Sequence, residues 1–202
     1  MTWPLRLIIV VGALAAGLGL AMFERAARPR PALPILGQLP GFRLVDESGA
    51  TFGRESMVGH VNVVDFIFTR CSSSCPRLTA RMGELQGLLA RQKSRARLVS
   101  FSVDPENDTP PVLSEYAAQA HADLSRWSFV TGSLAQIERA AIDGFKVSVE
   151  KITRDAGDYD VVHGDWFVLV DAEGRLRGYY SVREASDLDA LVKDVQVLEA
   201  RP

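Results

Sequence analysis

Cys71 and Cys75 are the two cysteines of this 202-residue chain, and both fall where an apolar stretch, residues 61–68, gives way to a segment with helical spacing. Pro76, directly behind Cys75, reads as a helix entrance, because proline there loses only a donor that has no partner. Cys71 lies on the loop that feeds this turn. A helix N-terminus carries partial positive charge and unpaired N–H groups, so both thiols are expected to be drawn toward thiolate. Two sulfurs so placed can cycle between dithiol and disulfide, or hold a soft metal ion. A purely stabilising bridge fits poorly, because the loop it closes is very short and the entropic gain from a cross-link grows with loop length.

The elements that must position these sulfurs follow from periodicity. Residues 42–46 and 51–52, around the turn Glu47-Ser48-Gly49-Ala50, predict a hairpin covering one sheet edge. Residues 61–68 are too continuously apolar for a one-sided strand and predict a central one buried on both faces. Leu78, Met82, Leu85 and Leu89 recur at helical spacing and lay that helix on the sheet. Further strands are predicted over 97–103, 127–130, 166–170 and 176–180. Helices are predicted from Pro110 to about His121, from a Ser133 cap to Ile142, and from a Ser186 cap to about Leu198. Alternating strands and helices followed by an antiparallel pair predict an α/β, thioredoxin-like sandwich with an N-terminal β-hairpin and an inserted segment.

A third donor is sought among the three histidines. His60 sits in a glycine turn and His121 ends a surface helix, so both read as solvated. His163 stands in Asp158-Tyr159-Asp160-Val161-Val162-His163-Gly164, directly before the strand at 166–170. In a thioredoxin-like sheet that loop approaches the cysteine-bearing helix terminus. An ordinary thiol oxidoreductase of this fold carries a cis-proline there, yet no proline occurs between Pro111 and Pro202. Two thiolates and an imidazole form a soft set suited to Cu(I), able to take Cu(II) with a further ligand, and acceptable to zinc. Asp160 or Asp165 is placed to orient the imidazole. The stretch 104–111 reads as a strand-to-helix turn with Asp108 or Thr109 as cap and no chemistry of its own.

Composition bounds the rest. With 47% apolar and 24% charged residues and a formal charge of −2, the chain suits one globular domain, and no basic stripe points to nucleic acid. Residues 7–23 form a run of seventeen without a charge, roughly 25 Å as helix against a hydrocarbon core of ~30 Å. Residues 1–27 therefore read as an uncleaved membrane anchor or signal segment, 28–40 as a proline-rich tether and 41–202 as the globular domain. No cysteine follows the apolar run, which argues against lipidation. Arg25, Arg28 and Arg30 outweigh Arg6 across it, opposite to the charge bias of an exported domain, but long domains translocate largely regardless of flanking charge. Export is the expectation, since it gives the cysteines an oxidising compartment.

Four segments together resemble the SCO/SenC family, copper-handling proteins of cytochrome c oxidase assembly. Phe66-Ile67-Phe68-Thr69-Arg70-Cys71 followed by Cys75-Pro76 is similar to the family's CxxxCP motif, and residues 102–110 to its VDPxxDTP segment. Trp127-Ser128-Phe129-Val130-Thr131-Gly132 is similar to WxFLTG, and Asp158-Tyr159 with His163 to DYxVxH. The resemblance implies that Cys71, Cys75 and His163 are copper ligands. It implies a single-pass inner-membrane anchor with the domain on the periplasmic side, and as partners the copper-accepting subunit of cytochrome c oxidase and another periplasmic copper chaperone. Gly164, where the family often has a small hydroxyl residue, and the all-serine triplet between the cysteines bear on affinity or redox potential.

Two functions of different class follow. The first is a membrane-tethered metallochaperone whose cysteines take up copper only when reduced. The second is an enzyme, a thiol–disulfide oxidoreductase that keeps a partner's cysteines reduced, with Cys71 attacking and Cys75 resolving. A thiol peroxidase lacks its proline-threonine-cysteine arrangement here. Docking is expected around the cysteine loop, where Arg70 and Arg77 are placed to meet an acidic partner.

Overall fold

The apolar run before the cysteines forms a strand buried at all six positions, Asn62–Ile67, and a strand without a solvent face needs a layer on each side. The computed structural model describes residues 32–71, 75–147, 150–153, 159–162 and 165–200. In chain order its elements are β1 (Gly37–Gln38), β2 (Arg43–Asp46), β3 (Thr51–Gly53), α1 (Arg54–Met57), β4 (Asn62–Ile67) and α2 (Cys75–Arg91). There follow β5 (Arg97–Ser102), α3 (Pro110–Gln119), β6 (Trp127–Thr131), α4 (Leu134–Glu138), β7 (Glu150–Thr153) and β8 (Tyr159–Val162). The chain closes with β9 (Trp166–Val170), β10 (Arg175–Ser181) and α5 (Ala185–Glu199). From Leu33 onward the described residues belong to one compact unit.

Eight strands make one sheet in the order β1-β10-β9-β4-β5-β6-β2-β3, and β7 pairs with β8 separately. The strands β4, β5 and β6 are parallel, with Asp65 opposite Ser100 and Ser100 opposite Phe129. Parallel neighbours require crossovers, which α2 and α3 supply. On one face Phe66, Phe101 and Phe145 meet at centroid distances of 5.0–5.5 Å, with Phe42 and Phe52 against Phe101. Side chains alternate along a strand, so Val63, Asp65 and Ile67 face the other layer, where Leu78, Met82, Leu85 and Leu89 of α2 are buried.

The hairpin forms as expected, with Arg43 opposite Gly53, and places β3 at the sheet edge. Other elements differ for local reasons. Gly37–Gln38, at the end of the segment read as tether, pairs with β10, because an edge strand leaves donors and acceptors that a passing chain can satisfy. The helix expected from Ser133 to Ile142 is α for one turn and then widens, the Phe145 N–H donating to Ala140 O at 2.8 Å. Ser133 makes no side-chain cap bond, and the last helix starts at Ala185, so Ser186 lies inside it and is not its cap. Among the described residues no helix is long and apolar enough to cross a membrane. The expected anchor, residues 1–27, lies outside the described residues.

The chain is clamped where it enters the domain. Arg177 is buried, its Nη1 2.6 Å from Asp171 Oδ2, while Nε donates to Pro34 O at 2.9 Å and Nη2 to Leu33 O. Arg177→Ala leaves Asp171 its second partner, Arg175 at 2.8 Å, but takes the donor from the Leu33 and Pro34 carbonyls, so it should cost about 1–3 kcal/mol. Urea denaturation checks this, and a loss below ~1 kcal/mol would show that the pair and its carbonyl contacts contribute little.

Candidate metal centre

The cysteines stand where β4 ends and α2 begins. Cys75 is the first residue of α2, with Pro76 second, where a missing N–H costs no helical bond. The Cys71 N–H donates to Phe68 O at 3.2 Å, and the Cys75 N–H donates to Cys71 Sγ at 3.4 Å. Both residues are thiols with no bridge between them. They are not equally accessible, Cys71 being 8% exposed and Cys75 1%. A cavity of about 440 Å³ opens beside Cys71, between α2 and α3, lined by Thr69, Pro76, Thr79, Gly83 and Tyr116 among others. An incoming group therefore meets Cys71 first.

The expectation that the helix terminus lowers both thiols is overturned at Cys75. Burial pushes its thiol up, Cys71 and the charge of Asp65 push the same way, and the backbone at Phe68 opposes them in part. Desolvation of an anion in a nearly closed site outweighs the helix dipole, which supplies only about half a charge at the helix end. Both sulfurs must lose their protons to bind a metal, so loading releases protons.

His163 and Gly164 lie outside the described residues, as do Ser72, Ser73 and Ser74. The strand after the histidine is described: β9 runs antiparallel to β4, with Asn62 opposite Val170 and Val64 opposite Val168. That register sets the start of β9 at the end of β4 from which the Cys71 loop leaves. Asp165, expected to orient the imidazole, pairs through Oδ2 with Arg183 at 2.9 Å. The Asp160 side chain lies outside the described residues. His60 is half-buried at the opposite end of β4, its imidazole pKa lowered by burial and by Arg97 and Arg95, and His121 is exposed. Neither joins the cysteines.

The stretch 104–111 is more than a turn. Thr109 takes the cap position of α3 without a side-chain bond, and Asp108 turns inward rather than capping. Its carboxyl accepts from Thr69 and Ser102; burial pushes its pKa up and those donors hold it back. Asp104 accepts from Arg70 at 3.1 Å and from Asn107 at 3.0 Å, so Arg70 is tied to the domain, whereas Arg77 is exposed. Periodicity carries no signal for these contacts, since Thr69 and Asp108 are 39 residues apart.

Asp65 is the second group that the sequence reading passed over. It is fully buried on the α2 face of β4, and neither carboxyl oxygen has a hydrogen-bond partner among the described residues. Burial raises its pKa from 3.8 to about 7, an effect that nearby Ser100 counters only in part. The Ser100 hydroxyl is also the acceptor for Trp127 Nε1–H at 2.9 Å.

The SCO1/SenC family model matches residues 37–198. The SCO1 protein homolog of Bacillus subtilis is 36% identical over 164 residues, 81% of this chain and 83% of its own. The structure of BsSco, a member of the Sco family of cytochrome c oxidase assembly proteins in which a disulfide switch was identified, superposes with a TM-score of 0.75 at 34% identity, covering 86% of this chain and 100% of that one. Yeast Sco1 with copper bound superposes with a TM-score of 0.67 at 26% identity, covering 81% and 90%. The thioredoxin-like arrangement expected from the element order is the one these structures share.

Asp65 makes a test of the buried layer. A carboxyl that ionises near 3.8 when unfolded and about 7 when folded binds more protons in the folded state between those values, so its contribution to stability falls as pH rises through that window. Asp65→Asn should therefore be more stable than the parent at pH 8, by on the order of 4 kcal/mol at most, with the gap closing toward pH 4. Denaturant unfolding at several pH values measures it. A pH-independent gap would mean that Asp65 does not titrate in this range.

Proposed function

The chain belongs to the SCO1/SenC family, and from that premise we propose that it is a copper metallochaperone for cytochrome c oxidase, with copper as cargo. Cys71, Cys75 and His163 are the ligands in this reading. The observation that carries it is the pair of thiols at one helix start, with the Cys75 N–H turned onto Cys71 Sγ, at the end of the sheet where the chain enters β9. The copper-bound yeast relative supports the choice of metal, as does the softness of a thiolate–imidazole donor set. Zinc accepts the same donors, so a measurement must separate the two.

The chemistry of uptake follows from the thiols. Oxidation of the pair to a disulfide releases two protons and two electrons and removes both sulfur donors, so copper loading depends on redox poise. Residues 1–27 act as the membrane anchor, residues from 28 as its tether, and the domain works on the periplasmic side of the inner membrane. The acceptor is the copper-accepting subunit of the oxidase, and a second periplasmic copper chaperone is a source of the metal.

A second reading, thiol–disulfide exchange with a partner's cysteines, is favoured by one observation. Cys71 is the more exposed thiol and borders the cavity, while Cys75 is closed off beneath it. That is the geometry of an attacking and a resolving sulfur.

Anaerobic titration of the reduced chain with Cu(I) competition and Cu(II) absorption should show one copper per chain and a thiolate-to-Cu(II) band. His163→Ala should abolish that band and weaken binding while leaving the Cys71–Cys75 disulfide able to form. Unchanged affinity in this variant would remove the histidine from the site. For the second reading, Cys75→Ser should trap the partner on Cys71 as a mixed disulfide, and the lack of any trapped oxidase subunit would count against it.

A further inference from the structure

We propose that Asp108 is a positioning residue for copper: its buried carboxylate holds Thr69, two residues before Cys71, against the end of β5 and thereby sets where the Cys71 sulfur stands relative to Cys75. The inference rests on the copper reading above and names a residue that touches neither the metal nor a ligand.

The geometry is a chain of hydrogen bonds from the core to the sulfur. Asp108 is fully buried. Its Oδ1 accepts from Thr69 Oγ1 at 2.5 Å, and its Oδ2 accepts from the Thr69 N–H at 3.1 Å and from Ser102 Oγ at 2.6 Å. Thr69 is thus held through both backbone and side chain. Ser102, the last residue of β5, is shared, since its hydroxyl also accepts from the Asp104 N–H at 3.1 Å. Asp108 is in turn fixed by its own N–H, which donates to Asp104 O at 2.9 Å one residue before the cap of α3. The carboxylate therefore joins β4, β5 and α3 at one point. Beyond Thr69 the chain turns by the Cys71 N–H to Phe68 O bond and reaches the sulfur that accepts from Cys75.

Chemistry explains why an aspartate suits this place. Three donors converge on two oxygens, and a carboxylate has acceptor capacity for all of them and no proton to misplace. Asparagine offers one acceptor oxygen and an NH₂, so at least one of the three bonds must reverse or break. Buried hydrogen bonds to a charged acceptor are strong and hold a narrow geometry. The neighbouring brace, Arg70 to Asp104, joins an arginine side chain that is 51% exposed to an aspartate that is 2% exposed, so its outer end is open to solvent. The Asp108 anchor differs in also holding a main-chain N–H, that of Thr69, whereas the bonds between Arg70 and Asp104 join side chains. Groups behind the ligands commonly change metal affinity 10- to 100-fold without contacting the metal.

The test uses the full chain as wild type, Asp108→Asn, Thr69→Val and Thr69→Ser, with thermal unfolding beside each measurement. Thr69→Val loses one hydroxyl donor at a half-buried position, so it remains informative if the aspartate variant does not fold. The expected result is a 10- to 100-fold weaker Cu(I) affinity and a displaced thiolate-to-Cu(II) band in Thr69→Val and Asp108→Asn, with Thr69→Ser restoring both. Folded variants that keep wild-type affinity and band overturn the proposal. If wild type itself takes up no copper, the copper reading fails instead. The midpoint potential of the Cys71–Cys75 couple then decides for Asp108: a shift in the same variants supports a positioning role and an unchanged value overturns it.

Discussion

The burial of β4 on both faces is the constraint on which the rest depends. A strand with no exposed position must be flanked by paired strands and covered by a layer above and below, and here β5 and β9 flank it while α2 and the Phe66–Phe101–Phe145 cluster cover it. Its end is then a fixed point in the molecule. The chain leaving it can only climb out beside the end of β5 and enter α2, and that exit is the cysteine loop. The parallel pairing of β4 with β5 brings Thr69 and Ser102 to the same edge, where one carboxyl serves both.

Burial also decides the chemistry of the sulfurs. A helix start stabilises an anion through aligned N–H groups, yet Cys75 is closed beneath the loop and its thiol is pushed up rather than down. The two effects oppose one another at the same sulfur, and desolvation prevails because that sulfur is sealed from water. Cys71, on the loop, keeps an opening to the adjacent cavity. The result is a division of labour between two chemically identical side chains, imposed by depth alone. Asp65 extends the same theme: an acidic group in the layer under α2, without a hydrogen-bond partner among the described residues, stays protonated well above the ordinary carboxylate range.

Much of this was legible from residue order. The run 61–68 announced a doubly buried strand, the spacing of Leu78, Met82, Leu85 and Leu89 announced the helix that covers it, and Cys71, Cys75 and Pro76 marked the joint between them. What escaped was short or long-range. The two-residue strand β1 has too little pattern to stand out from a proline-rich tether, and its pairing with β10 arises only because that edge is open. The β7–β8 pair lies in a polar stretch where no strict alternation separates strand from loop. The widened turn after α4 is written in backbone bonds rather than in residue types.

By itself the sequence determined the identities of the reactive groups and their local frame: two thiols four residues apart at a helix entrance, a histidine before a late strand, and an alternation of strands and helices that permits few topologies. These are properties of neighbours along the chain, and periodicity records them. Only the tertiary structure decided which thiol is open and which is sealed, that Asp108 turns inward to Thr69 instead of capping its own helix, and that Asp65 is buried without a hydrogen-bond partner among the described residues. Those outcomes depend on desolvation and on contacts between distant segments, such as Thr69 with Asp108, 39 residues apart, and both arise only when the sheet has closed around β4.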